Sequence, residues 1–351
     1  MAKKLLKVAS MNLYNLQLPG KSYYGNKYTQ KQYDAKVAWS AKMLQTIDAD
    51  IIGFQELWAE KCLEDVFTHA GLSSKYELVT LDNDFEASVA LAVKKPFKPL
   101  KSTIEWVKDF PEELILRKGS GAPPDYQVDV QIDGFSRPIC KASIKAPDSW
   151  KIPNIDVLVS HLKSKMPMDV DQDVFDEPKV KDFTKDFPKS AYSEAIGPAL
   201  STIKRTAEAA ALRLILTKLL YKTDTPVVVM GDLNDSQHSV TTSLITADPP
   251  YRLHAASRTG SKSDRGMYAV STLQELRSLR DVYYTYIHEG FRESLDHILV
   301  SEQFYDYSSK HIFTFKEMQI YNDHLADYDH KEDAPAGSSD HAPVAATFVK
   351  A

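Results

Sequence analysis

The chain has 351 residues, 43% of them hydrophobic and 26% charged, with a formal net charge of -5 at pH 7. Such a composition is globular and excludes wholesale disorder, while the negative balance excludes a global basic field, so contact with a polyanion must come from a local patch or a bound cation. Two cysteines, Cys62 and Cys140, exclude a disulfide framework, and no stretch approaches the roughly eighteen apolar residues of a spanning helix. Length alone allows two average domains, but no linker or fixed-period repeat interrupts the chain, so a single domain over 1–351 is expected, as a monomer. The opening MAKKLLKVAS is too short in apolar residues for a signal peptide, which makes a cytoplasmic location the expectation unless a leader has been removed.

In chain order, Leu5 to Leu13 is a β-rich run. Tyr33 to Ile47 carries apolar residues at Tyr33, Val37, Ala41, Leu44 and Ile47, the spacing of one helical face. Ile51 to Phe54 reads as a short buried strand running into Gln55 and Glu56, and Leu57 to Phe67 can follow as a helix. Tyr76 to Leu81 and Ser88 to Val93 read as adjacent strands, and Val128 to Ile132 with Pro138 to Ile144 as a hairpin turning at Asp133 and Gly134. After the strand Ile155 to Ser160, residues 165–190 are rich in Asp, Lys and Pro and are expected to form an inserted polar surface loop. Its Asp169, Asp171 and Asp173 match the first half of a calcium loop, but Val174 and Val180 stand where glycine and glutamate are required. Ser193 to Tyr221 reads as one long helix that tolerates Pro198 only near its first turn. Val227 to Met230, Leu295 to Val300, Ile312 to Phe315 and Val344 to Val349 supply later strands. Asn322 to Asp333 mixes histidine and acids with neither periodicity and is read as a solvated loop.

Chemistry-bearing side chains gather where the apolar runs stop. In VVVMGDLN, Asp232 and Asn234 lie two apart, so an extended chain presents both on one side. Asn12 ends the first strand, Glu56 the second, His161 the run IDVLVSH, and Asp340 precedes His341 in SSDHAP. Any one of these is an ordinary turn or cap residue; a full set is harder to dismiss. A hard divalent cation takes oxygen ligands and keeps several waters, so it needs only one or two carboxylates, a role that suits Glu56. Phosphoester hydrolysis needs an in-line water, charge stabilisation on the phosphoryl oxygens and help for the leaving oxygen. Asp232 can orient and deprotonate the water, and Asn234 can donate to a phosphoryl oxygen. A histidine beside the phosphate serves as cationic donor or acid/base when an acid holds its other nitrogen, as Asp296 could for His341. His297 lies inside a strand pattern and is given no chemistry.

Taken together and in order, Asn12, Gln55-Glu56, Ser160-His161, Gly231-Asp232-Leu233-Asn234, Leu295-Asp296-His297 and Ser339-Asp340-His341 resemble the endonuclease/exonuclease/phosphatase superfamily, the DNase I-like fold. The resemblance spans nearly the whole chain. It implies an α/β (α+β) fold, a four-layer sandwich of two mainly antiparallel β-sheets packed face to face with helices on the outside, and one metal-dependent phosphodiester site at the strand ends. By the same resemblance Glu56 binds the metal, with Asn12 beside it and Asp340 near a metal or phosphate position. Asp232 and Asn234 handle water and phosphate, His161 and His341 flank the scissile phosphate, and Asp296 pairs with His341. Glu86 is similar to the acid that supports the other histidine, and Arg137 after Ser136 to a phosphate-contacting arginine. Lys163 and Lys165 add positive charge. The implied cofactor is Mg²⁺, with Mn²⁺ as an alternative and Ca²⁺ a poorer fit.

Departures bear on substrate. Trp58 and Asp84 stand where pancreatic-type deoxyribonucleases carry a DNA-gripping arginine and tyrosine, and the aromatic-rich segments of inositol-polyphosphate phosphatases are missing. HLKSK and YTYIHEGFRESLDHILVS are similar to bacterial nuclease-like members. The implied activity is metal-dependent phosphodiester hydrolysis with nucleic acid as substrate. A sphingomyelinase-like phospholipid-headgroup phosphodiesterase, a general phosphodiesterase or phosphatase, and an inactive binding protein on the same fold stay as alternatives. A lipid-entering element would have to come from Trp106, Val107, Phe110 or Trp150.

Overall fold

Strand Leu5–Leu16 sends Leu6 and Val8 to one face and Ala9, Met11 and Leu13 to the other, and all five are buried. A strand buried on both faces requires a layer on each side. A computed structural model, describing residues 4–81, 86–117, 129–251, 264–277, 283–288, 291–326 and 334–351, shows what those layers are. One sheet has six strands in the order Phe313–Ile320, Val344–Lys350, Leu5–Leu16, Ile51–Leu57, Ser88–Lys94 and Tyr76–Val79. The other has seven: Tyr268–Ala269, Asp296–Val300, Val227–Asp232, Ile155–His161, Gly134–Lys145 and Lys98–Pro99, with Glu105–Asp109 also pairing to Gly134–Lys145. Pairing is antiparallel except between Leu5–Leu16 and Ile51–Leu57 and between Ile155–His161 and Val227–Asp232.

The sheets meet through one apolar layer to which the first contributes Leu6, Val8, Ile51 and Leu91 and the second Val157, Val159, Val228, Met230 and Ile298. Helices Gln30–Ile47 and Glu60–His69 cover the outer face of the first sheet through Val37, Ala41, Leu44, Leu63 and Phe67. Helix Lys189–Leu220 covers the second through Ala209, Leu212 and Leu216. This is the expected four-layer sandwich, and neither sheet closes into a barrel. Thr29 caps the first helix with a reciprocal bond to Gln32, which fixes where the chain leaves the first strand's loop. Among the described residues no helix is long and apolar enough to cross a membrane.

Several local expectations differ. Gly134 opens a strand instead of turning a hairpin: its partner is Asp109, and Asp129–Val130 pairs with Leu116–Arg117. Cross-strand burial decided this, since Ile139 and Cys140 pair with Val107 and Trp106 in the second sheet. Residues 165–190 are not one loop. They hold the 3₁₀ turn Gln172–Asp176, capped by Asp171, and helix Pro178–Asp186, where Phe175, Phe183, Phe187 and Tyr192 pack ring to ring. The long helix begins at Lys189, so Pro198 lies inside it; the carbonyl of the preceding Gly197 accepts from Met168 N–H at 3.1 Å, and a side chain at 197 would collide with Met168 O. Trp150 is buried, and Trp106, Val107 and Phe110 pack against the cores, which removes them as lipid-entering residues. His324, in the segment read as solvated, is buried against Trp39; residues 327–333 of that segment, and Asp84, lie outside the described residues.

Candidate active site

Strand parity builds the site. Leu6 and Val8 face the inter-sheet layer, and so does Asn12, two further alternations along. Val157 and Val159 do the same for His161, Val228 and Met230 for Asp232, and Ile298 and Val300 for Asp296. Each polar residue takes the inward position just beyond the apolar filling, so the sandwich core ends in a polar floor. Glu56 breaks the rule. In Ile51–Leu57 the odd positions face inward, so Glu56 would point at the helices; a bulge between Phe54 and Leu57, with Glu56 at φ 61°, turns it into the floor. Gly231 is equally constrained: at φ 147° a Cβ would lie 1.8 Å from Ser160 O, so only glycine lets the two strands approach there.

Asp232 is the hub. Its Oδ1 accepts from the N–H of Asn234 at 2.8 Å. Its Oδ2 accepts from Asn12 Nδ2 at 3.3 Å and lies 3.6 Å from His161 Nε2 and 3.8 Å from His341 Nε2. Asn12 Nδ2 also reaches Glu56 Oε1 at 3.2 Å, and Asn15 N–H holds Glu56 Oε2 at 2.9 Å. Asn12 thus turns its amide nitrogen toward both acids and is placed to orient them, beside the acid expected to hold the metal. Asn234 Nδ2 donates to Leu162 O at 3.0 Å, leaving its second N–H to the cleft.

His341 and Asp296 form the expected pair, Nδ1 to Oδ2 at 2.8 Å, with both residues buried. Burial alone would lower the His341 pKa, but the Asp296 and Asp232 charges outweigh it and raise it well above the ordinary imidazole range. His161 is the opposite case: burial, then Arg137, His341 and Lys163, hold it well below that range, so it is neutral at pH 7. Burial pushes Asp232 up to about 7 and Asp340 up to about 6. Glu86 lines the cleft but is not bonded to His161, whose Nδ1 has no partner among the described residues. The expected support for that histidine is therefore not made.

The donor set fits a hard divalent cation. Glu56, His161 and Asp232 each bring a ligand atom within 4.8 Å of the others, as do Asp232, Asp296 and His341. Asp340 Oδ1 and Asp296 Oδ1 are buried without a hydrogen-bond partner among the described residues. Asp340 lines the same cleft but belongs to neither grouping. Buried acids gathered this closely are stabilised by positive charge, from protonated His341 and from a divalent cation when one is bound.

The cleft above this floor is about 1550 Å³, larger than a typical small-molecule pocket, and Lys21, Arg137, Lys163 and Lys165 stand on its walls. Lys163 Nζ folds back on Ser164 and Met166 O, and Lys165 pairs with Glu293 at 2.7 Å. The residues that place Arg137 and Lys163 are ones the sequence did not reveal. Glu208, on the long helix and fully buried, accepts the backbone N–H of Ser136 and of Lys163, each at 2.6 Å. Arg205, one turn earlier, donates to Lys163 O and Ser164 O at 3.3 Å and lies 3.6 Å from Asp235.

A family model described as the Endonuclease/Exonuclease/phosphatase family matches residues 35–341. The chain belongs to that family. Members of the endonuclease/exonuclease/phosphatase family are hydrolases of phosphoester bonds and typically use divalent metal, in keeping with the buried acid and histidine cluster. A search of curated proteins returned no match. Among solved structures, an endonuclease/exonuclease/phosphatase family protein from Bacteroides thetaiotaomicron is 16% identical, with a TM-score of 0.54 and full coverage of both chains. The catalytic domain of human Nocturnin, bound to sulfate, is 13% identical over 100% of this chain and 96% of its own, with a TM-score of 0.53. A mannosyl-6-phosphatase from Bacteroides thetaiotaomicron is 17% identical over 98% and 99%, with a TM-score of 0.51. At these identities the likeness is one of fold.

Proposed function

We propose that this protein is a Mg²⁺-dependent phosphodiesterase that cleaves nucleic acid by in-line attack of water. The observation that carries the reading is Asp232 Oδ2 standing between the Nε2 atoms of His161 and His341 at 3.6 and 3.8 Å, a carboxylate with an imidazole on either side. Glu56, with Asp340 nearby, would hold the cation, and Asn12 would orient Glu56 and Asp232. When bound, the cation supplies positive charge against the phosphoryl oxygens. Asp232, with a pKa near 7, accepts a proton from the attacking water at neutral pH. His341, kept protonated by Asp296, donates from Nε2 to the phosphate and gives that proton to the leaving oxygen as its P–O bond breaks, while neutral His161 offers an uncharged hydrogen bond from the other side. The free N–H of Asn234 and the Arg137 guanidinium complete the phosphate's surroundings.

Nucleic acid is favoured by a cleft of about 1550 Å³, roomier than one phosphoester needs, with cations and aromatic rings in its lining. One observation favours hydrolysis of a phospholipid headgroup instead: Phe291 is 73% exposed on the strand Phe291–Glu293, next to cleft-lining Glu293. The test is a panel of plasmid DNA, single-stranded DNA, RNA, an aryl phosphodiester, sphingomyelin and a phosphomonoester, each with and without chelator. Chelator-sensitive cleavage of a nucleic acid supports the proposal. Cleavage of sphingomyelin alone supports the second reading, and full activity in His161→Ala and Asp232→Ala refutes the mechanism.

A further inference from the structure

Strands Ser22–Tyr23 and Asn26–Lys27 form a hairpin over the mouth of the cleft, joined by Tyr24 and Gly25. Both joining residues have positive φ, 44° and 81°, the pattern of a type I′ turn, whose first position ordinarily takes Asn, Asp or Gly. A bulky aromatic residue there is conformationally costly and buries little of its surface in return, since Tyr24 is 64% exposed. Its surroundings are nevertheless specified. The ring stands nearly perpendicular to that of Trp58, centroids 5.0 Å apart at 83°, and its hydroxyl accepts from Arg137 Nη2 at 3.3 Å. Trp58 Nε1 in turn donates to Asn15 Oδ1 at 3.0 Å, and Asn15 N–H holds Glu56. A run of contacts therefore ties Glu56, on the first sheet, to Arg137, on the second, with a largely exposed aromatic residue, Tyr24, at its midpoint.

We infer that Tyr24 is a stacking platform, braced by Trp58, for a planar heterocycle attached next to the phosphate that Arg137 binds. The ligand class is a nucleotide with its base against the Tyr24 ring, and arrival of the phosphate at Arg137 takes the place of the Tyr24 hydroxyl. Every base presents a π-face, so such a platform confers affinity with little sequence preference. This inference rests on the nucleic-acid reading above and identifies the residue that enforces it.

Calorimetric titration of the whole protein in Mg²⁺ buffer with adenosine 5′-monophosphate and with ribose 5-phosphate isolates the base. The wild type is expected to bind the nucleotide about tenfold more tightly, within the range of one base–aromatic stack. Tyr24→Ala brings the ratio close to one, and Tyr24→Phe, which keeps the ring and loses the hydroxyl, preserves it. An unchanged ratio in Tyr24→Ala, or tighter binding of phosphocholine than of the nucleotide, overturns the platform. Failure of the nuclease reading is seen separately, as intact nucleic acid in the substrate panel despite base-dependent binding. If neither phosphate binds, the platform falls, and the nuclease reading is decided by the substrate panel alone.

Discussion

Replacing Asp296 by asparagine removes one charge from His341 and leaves the side chain's shape almost unchanged. The two groups are 2.8 Å apart at the hydrogen bond, and both residues are buried. With the charge centres at about 4 Å and an effective dielectric near 20, their attraction is of order 4 kcal/mol. Losing it removes the main reason that His341 stays protonated, and general acid–base assistance of this kind contributes about 10²–10⁴ in rate. The expected result is a fall in kcat within that range, with KM much less affected. The alkaline limb of the pH profile should also move to lower pH. The stability effect has a definite sign. The folded-state pKa of His341 is raised, so its contribution is fully present below the ordinary imidazole pKa and is lost as pH rises through the folded value. Asp296→Asn should therefore flatten the loss of stability with rising pH, measured by urea unfolding at pH 6 and above. A variant with kcat within twofold of wild type and an unmoved alkaline limb would refute this reasoning.

Asp232→Asn should lower kcat by roughly 10²–10⁴ while the protein stays folded, checked by turnover together with a circular dichroism melt. Glu208→Gln keeps one acceptor oxygen for two backbone N–H groups; a rise in KM of about tenfold with little change in kcat is expected, and a loss of about 1–3 kcal/mol on urea unfolding. Gly231→Ala places a Cβ against Ser160 O and should cost at least about 2 kcal/mol, seen as a lower unfolding midpoint. Chelator should abolish turnover and added Mg²⁺ restore it, with Glu56→Gln shifting the Mg²⁺ concentration for half-maximal activity upward by at least about tenfold.

Most of the floor was legible because parity carries a side chain's direction along a strand: Asp232 and Asp296 follow from Val228, Met230, Ile298 and Val300. What parity cannot reveal is a bulge, and Glu56 reaches the site through one. Glu208 and Arg205 carry no local motif. They sit mid-helix among alanines, and only the docking of that helix on the second sheet shows that they face the loop holding Lys163. Gly134 read as a turn because Asp-Gly is a turn signal; the partner that overrode it, Glu105–Asp109, lies more than twenty residues upstream, beyond the reach of a local pattern. Residues 165–190 read as loop because charge dominates their composition, while the rings that fold them pack across helix ends instead of along one periodic face.

Gly53 lies in the inter-sheet layer, where a Cβ would come 2.8 Å from Met230 and 3.0 Å from Val159. Glu56 is three residues further along the same strand, and Asp232 two beyond Met230. The distance between sheets at that apolar contact therefore sets the separation of two acids that belong to different halves of the molecule. Two residues with no charge and no role in proton transfer act as the spacer of the reaction centre, so an enlarged side chain at 53 should register as a slower enzyme as well as a less stable one.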